Sequence, residues 1–400
     1  MQDLDFLPSF PFEFNVVALF GILLVAAFVG GGAVHKSGFL PRITGFTLVG
    51  MLLGNSGLEI IDSATVLKLR PLLDIALGVV LFEFGQRLDF KWWRQDRWLA
   101  VSCITESILG FALAFGALLY LGQPPLLSGM AAAIGISTSP AVLWMIARDT
   151  HAEGQLTDRA MNLVAANGVI AFITVSMLLA FLHLDQGAPW RLALLHPLWV
   201  VAGSILLGFV GARSTLWLVG LTSRTSDSRQ AVVLGMVMTA IGFASVLHFS
   251  VLITLLVFGV FIKNMDHEHR VAAVDTGRYA SLFLAVLFVI TGASLSWHTL
   301  MLGGLAALVF TLARFVGKFL GVLLISPFSG LGIQKSAWLG LVLLPVSGTA
   351  LVLAEDVARL YPQFGETLRA IVLGSVALLE LIGPIVTQLA LRMARETRQN

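Results

Sequence analysis

The chain has 400 residues, of which 57% are hydrophobic and 12% charged, with a net charge of +2 and a mean hydropathy of +0.90. Soluble domains hold roughly 45–50% apolar and about 25% charged residues. Here the apolar excess runs in long blocks from end to end, so the expected class is an all-α polytopic membrane protein. The near-neutral balance leaves no basic footprint for nucleic acid. The single cysteine, Cys103, excludes an intramolecular disulfide and a thiolate zinc site, and reads as a small buried hydrophobe.

The stretch Met1 to Glu13 is acidic and lacks the basic region of a secretory signal, so the first apolar segment is expected to be a retained helix. A membrane helix needs about 20 mostly apolar residues. On that length the chain predicts about 13 transmembrane helices: 14–34, 43–58, 70–87, 98–121, 125–148, 158–183, 191–212, 228–247, 249–263, 274–296, 299–326, 334–356 and 366–393. No hydrophilic stretch between them is long enough for a soluble catalytic or regulatory domain, and 1–400 reads as one transmembrane domain. Most of the 25 basic residues fall on alternate loops; the opposite side holds Lys68, Arg70, Arg191, Arg359 and Arg369. The positive-inside rule then gives an outer N-terminus and a cytoplasmic C-terminus.

Two segments are interrupted. Ser137-Thr138-Ser139-Pro140-Ala141 breaks the fifth, and Pro345-Val346-Ser347-Gly348-Thr349 breaks the twelfth. Proline removes a backbone N–H and clashes with the preceding turn. Broken backbone is tolerated in a bilayer only where it lines a cavity or meets other protein. The two breaks lie on segments of opposite direction, as two inverted repeats with crossed discontinuous helices require, and such a pair points to a transporter's substrate site.

Ionisable residues inside the segments are costly and mark function by default. They are Asp74, Glu83, Glu106, Arg314, Lys318 and Glu380. Glu106, Lys318, Ser139 and Asn167 each fall roughly 12 Å from the inner end of its own helix, at 1.5 Å of rise per residue. Plainer readings stand beside this one. Glu106 can be a structural partner of Arg314 or Lys318, Glu83 can join an interfacial cluster with Arg87, and Glu380 can serve backbone groups freed at Gly383-Pro384. Gly317 and Gly321 form a GxxxG pattern around Lys318, a packing motif. His183, His196, His248 and His298 sit at segment ends, where an interfacial position is expected. No metalloprotease, phosphate-loop or hydrolase motif is present, and neither an enzyme nor a bound cofactor is expected.

Leu40-Pro41-Arg42-Ile43-Thr44-Gly45 with Gly50-Met51-Leu52-Leu53-Gly54, Leu81 to Asp89, Thr138-Ser139-Pro140-Ala141, Phe288 to Leu295 and Arg314-Phe315-Val316-Gly317-Lys318 follow one another in a familiar order. In that order the chain resembles the membrane domain of the monovalent cation:proton antiporter superfamily, nearest its Kef-type branch. The resemblance implies a mobile core, here about 98–183 and 299–393, against a scaffold formed by the rest. It also implies a homodimer in the bacterial inner (plasma) membrane and alternating-access exchange of Na⁺ or K⁺ for protons. Such proteins place the ion beside an aspartate on the sixth helix. Here Val164-Ala165-Ala166-Asn167-Gly168 puts Asn167 at that place, with Thr138, Ser139, Ser347 and Thr349 as further ion-site oxygens and Pro140, Pro345 and Gly348 as helix breakers. Asparagine offers a carbonyl oxygen but does not titrate. By the resemblance, Lys318 has lost the aspartate that pairs with it in some relatives, and the proton carrier passes to Lys318 or Glu106. Two other readings stay open: an organic-anion or other solute transporter on the same fold, and a non-transporting regulatory homologue.

Overall fold

The computed structural model of the chain describes residues 15–36, 40–54, 56–61, 63–88, 96–185, 190–222, 225–266, 271, 277–295, 297–346 and 348–397. Fifteen α-helices occupy these residues: α1 (Val16–His35), α2 (Arg42–Leu53), α3 (Ser63–Gly85), α4 (Arg97–Tyr120), α5 (Pro125–Gly135), α6 (Pro140–Asp149), α7 (Gln155–Asp185), α8 (Trp190–Leu221), α9 (Ser226–Val246), α10 (Val251–Met265), α11 (Gly277–Ser294), α12 (Trp297–Ser329), α13 (Ile333–Val342), α14 (Gly348–Leu360) and α15 (Pro362–Met393). The predicted segments overlap these helices, one each or, at the two breaks, two, with ends that differ by several residues at α2 and α3. Eight helical stretches are long and apolar enough to cross a membrane, and Arg42–Leu53, Val251–Met265 and Ala280–Ser294 are shorter apolar helices.

In the broken stretch Pro125–Asp149 every residue from Leu127 to Ala147 is buried, whereas α1 presents most of its surface outward. That contrast follows from solvation: an intact helix satisfies its own backbone in lipid, whereas a broken one needs protein around it. Helices α4, α5, α7, α12, α13, α14 and α15 pack on one another, and α1, α2, α3, α8, α9, α10 and α11 form a second group. The groups meet where α15 and α6 touch α2, where α6 and α7 touch α3, and where α7 touches α8 and α10.

Glycine sets the closest approaches. A β-carbon at Gly317 would collide with the Leu109 carbonyl, and one at Gly321 with the Glu106 backbone, so the GxxxG pattern lays α12 directly on α4. Gly50 and Gly54 seat α2 on α11 in the same way, against Val289 and Ala293. At one end of the molecule the Glu396 carboxylate accepts from Leu156 N at 2.9 Å and from Thr157 N and Oγ1 at 2.8 and 2.9 Å. Those N–H groups are among the unpaired donors of the first turn of α7, and a negative charge there also suits the helix dipole. The opposite end carries the α9–α10 turn, with His248 at φ 56.

Candidate functional site

The two breaks bond directly to each other. Ser139 N–H donates to the Pro345 carbonyl at 2.9 Å, and Thr138 Oγ1 donates to the Leu343 carbonyl at 3.4 Å. Pro140 is the first residue of α6, where its missing N–H costs nothing, and Ser139 caps that helix by accepting from Val142 N at 3.2 Å. Gly383 of α15 lies against the Pro345 ring. Pro345 and Gly348 thus bound the second break as the sequence indicated; Ser347 lies outside the described residues.

Arg314, fully buried, reaches into the crossing from α12. Its Nε donates to the Gly135 carbonyl, Nη1 to the Leu344 carbonyl at 2.9 Å and Nη2 to the Ser137 carbonyl at 2.7 Å, with Thr138 Oγ1 at 3.4 Å. These carbonyls belong to the ends of α5 and α13, where an α-helix carries roughly half a negative charge. One guanidinium therefore satisfies two helix ends, a task that suits its planar array of donors. The ion-pair role left open for Arg314 goes to its neighbour one turn on.

Lys318 Nζ lies 2.7 Å from Glu106 Oε2, with both side chains at or below 1% exposure. Of the two partners the sequence left open for Glu106, Arg314 and Lys318, the structure pairs it with Lys318: the carboxylate missing at Asn167 is supplied from α4, because the glycines of α12 bring the two backbones together. Glu106 Oε1 has no hydrogen-bond partner among the described residues. Asn167 lies beside this carboxylate. Its Oδ1 accepts from Ser107 Oγ at 3.4 Å and faces Cys103 Sγ at 3.6 Å, while Nδ2 donates to Thr138 Oγ1 at 3.3 Å. Glu106, Lys318, Asn167, Thr138 and Arg314 are therefore one buried cluster. Ser107 and Cys103 join it without having been singled out for it; the available signal was that Cys103 lies three residues before Glu106 and four before Ser107, spacings that share a helix face.

The remaining candidates sit further off. Thr349 and Asp74 line a cavity of about 530 Å³ between α3, α7, α10 and α14, together with Ser176, Ser250 and His248. It lies toward the His248 end and is mostly apolar. Thr349, Leu81 and Leu252 also border a much smaller void that reaches Thr138 and Pro140. Glu83 accepts from Trp144 Nε1 at 3.1 Å, linking α3 to α6. Glu380 is buried on α15 beside Thr47 of α2. The side chains of His183, His196 and His298 lie outside the description.

Comparison with known proteins decides the family. The model of the transmembrane sodium/hydrogen exchanger family matches residues 23–392. The chain belongs to that family. Accordingly it is a multi-pass membrane protein that exchanges a cation for protons. Two structures of the sodium proton antiporter MjNhaP1 from Methanocaldococcus jannaschii share the exchanger's fold at 17% identity. One, at pH 8, superposes with a TM-score of 0.68 over 94% of this chain and 95% of that one. The other, from electron microscopy, gives 0.70 over 97% and 100%.

Proposed function

We propose that the exchanger swaps one monovalent cation, Na⁺ or K⁺, for one proton at the Glu106–Lys318 pair, by alternating access of the core helices against the scaffold. The observation that carries this is the fully buried 2.7 Å pair beside Asn167, in which the second carboxylate oxygen of Glu106 has no hydrogen-bond partner among the described residues. A hard cation takes oxygen ligands: Glu106 offers a carboxylate oxygen, Thr138 a hydroxyl, and Asn167 an amide oxygen that faces Ser107 and Cys103 in this structure and would turn toward the ion. While Lys318 is protonated it neutralises Glu106. When a cation takes the carboxylate, the ammonium loses its partner and its proton leaves. The charge of the site is the same before and after, so one cation enters for each proton lost. Arg314 and the two helix ends stay fixed and keep the crossing intact.

Asn167 in this reading is a neutral ligand, and Thr349 and Asp74 lie along the approach from the 530 Å³ cavity. With the N-terminus outside, that cavity is the outward approach. A homodimer in the bacterial plasma membrane belongs to the same proposal.

Proton movement in reconstituted vesicles on adding Na⁺, K⁺ or Li⁺ is the test. Wild type moves protons with at least one of them. Glu106→Gln and Lys318→Ala abolish cation-dependent movement, whereas Asn167→Asp retains it with altered ion affinity or pH profile. No cation response from wild type would overturn the exchange reading. A full response from Glu106→Gln would remove the pair from it.

A further inference from the structure

Glu380 is fully buried in the middle of α15, and neither of its carboxyl oxygens has a hydrogen-bond partner among the described residues. It faces Thr47 of α2, whose hydroxyl lies 3.2 Å from the Ile43 carbonyl and is the one side-chain donor in reach of Glu380 among the described residues. Among the described residues, Thr44 Oγ1 on α2 and Thr387 Oγ1 and Gln388 Oε1 on α15 are also buried without hydrogen-bond partners. Thr44 shares the helix face of Thr47, and Thr387 that of Glu380, by helical spacing. A line of orphaned polar atoms therefore runs along the α2–α15 seam toward the Glu396 end, opposite the open cavity.

Charge from neighbouring helices does not explain Glu380. On α12, Arg314 binds carbonyls and Lys318 binds Glu106. On α13, Lys335 pairs with Glu396 at 3.6 Å, and on α14, Glu355 pairs with Arg369 of α15 at 3.5 Å. On α6, Asp149 lies among Arg148, His151, His35 and Arg42 of α2, and Arg148 also covers the Trp144 ring. Helix α5 has no titratable residue. An ionised carboxylate buried without a partner costs so much that the group takes up a proton instead. Each buried hydroxyl left without a partner is costly as well. A seam whose polar atoms are buried in one conformation and reach water in another accounts for polar atoms that packing alone would not retain.

We propose that Glu380 is a second proton-binding residue, which holds its proton while the α2–α15 seam is closed and ionises as the seam opens to water. The seam is then the route that opens toward the Glu396 end when the cavity at the other end closes. This rests on the exchange reading above, since the opening is the second half of alternating access. It assigns a separate proton to a separate residue, on the boundary between the two helix groups rather than at the crossing.

Two readouts test it in detergent or vesicles. Infrared spectra should contain a protonated carboxylic-acid band that disappears in Glu380→Gln and persists in Glu106→Gln. Thr387→Cys should react with a small thiol reagent faster as pH rises, more steeply than the roughly tenfold per pH unit that ionisation of the thiol alone gives. With Glu380→Gln added, the rate should keep only the pH dependence of the thiol itself. The parent chain, with only buried Cys103, is the labelling control. An infrared band unaffected by Glu380→Gln, or an unchanged pH response of labelling, overturns the proposal. Failure of the exchange reading shows separately, as a wild type without cation-dependent proton movement.

Discussion

Glu106 and Lys318 show how a buried charge pair differs from two buried charges. Removing one partner of such a pair leaves the other uncompensated at a cost of about 3–5 kcal/mol, whereas replacing both by neutral groups is often close to neutral. Glu106→Gln and Lys318→Met should therefore each lower the thermal unfolding temperature in detergent, and the double variant should recover most of the loss while remaining inactive in exchange. A double variant as unstable as the singles would mean that the pair is held by something other than charge. At this scale the sequence showed the right residue types at a common depth. It did not show which cation meets the carboxylate, because Arg314 and Lys318 are one turn apart on the same helix. Only the rotation of α12 against α4 assigns Lys318 to Glu106 and Arg314 to the carbonyls.

Helix contacts are decided by what the backbone leaves room for. Gly321 lies against the Glu106 backbone, so Gly321→Ala must push α4 and α12 apart at the charge pair. Overpacking of this kind costs about 1–3 kcal/mol, and the variant should lose both thermal stability and exchange. Gly116, on α4 with open space at its β-position, is the matched control: Gly116→Ala should leave both unchanged. Equal effects of the two substitutions would show that helix propensity, not the close approach, is being measured. The GxxxG pattern and both proline breaks were legible as local signals, since each acts through the backbone of its own helix. The capping of α7 by Glu396 was not, because 239 or 240 residues separate donor and acceptor.

Across the molecule, the two helix groups meet along a boundary that is open at the His248 end and closed along the α2–α15 seam. If the cavity is an access route, blocking it should stop transport. Ser176→Cys, which adds a thiol in the cavity lining, should react with a bulky thiol reagent applied from that side of the membrane and lose exchange activity. Modification from one side without loss of exchange would detach the cavity from the pathway. The alternation of basic loops gave the expected direction of each segment, but the cavity has no sequence signature: its lining comes from α3, α7, α8, α9, α10 and α14, each contributing a few apolar or small polar residues.

By itself the sequence determined a membrane-embedded helical bundle, its segments, its two breaks and the absence of an acidic residue at Asn167. Those features rest on hydropathy, proline geometry and residue identity, which are local. The tertiary structure alone decided that the breaks bond to each other, that Arg314 serves their helix ends, that Lys318 finds its carboxylate on α4, and that Glu380 is buried against α2. Each of those depends on how one helix is rotated and seated against another, and glycine contacts distant in the chain set that seating.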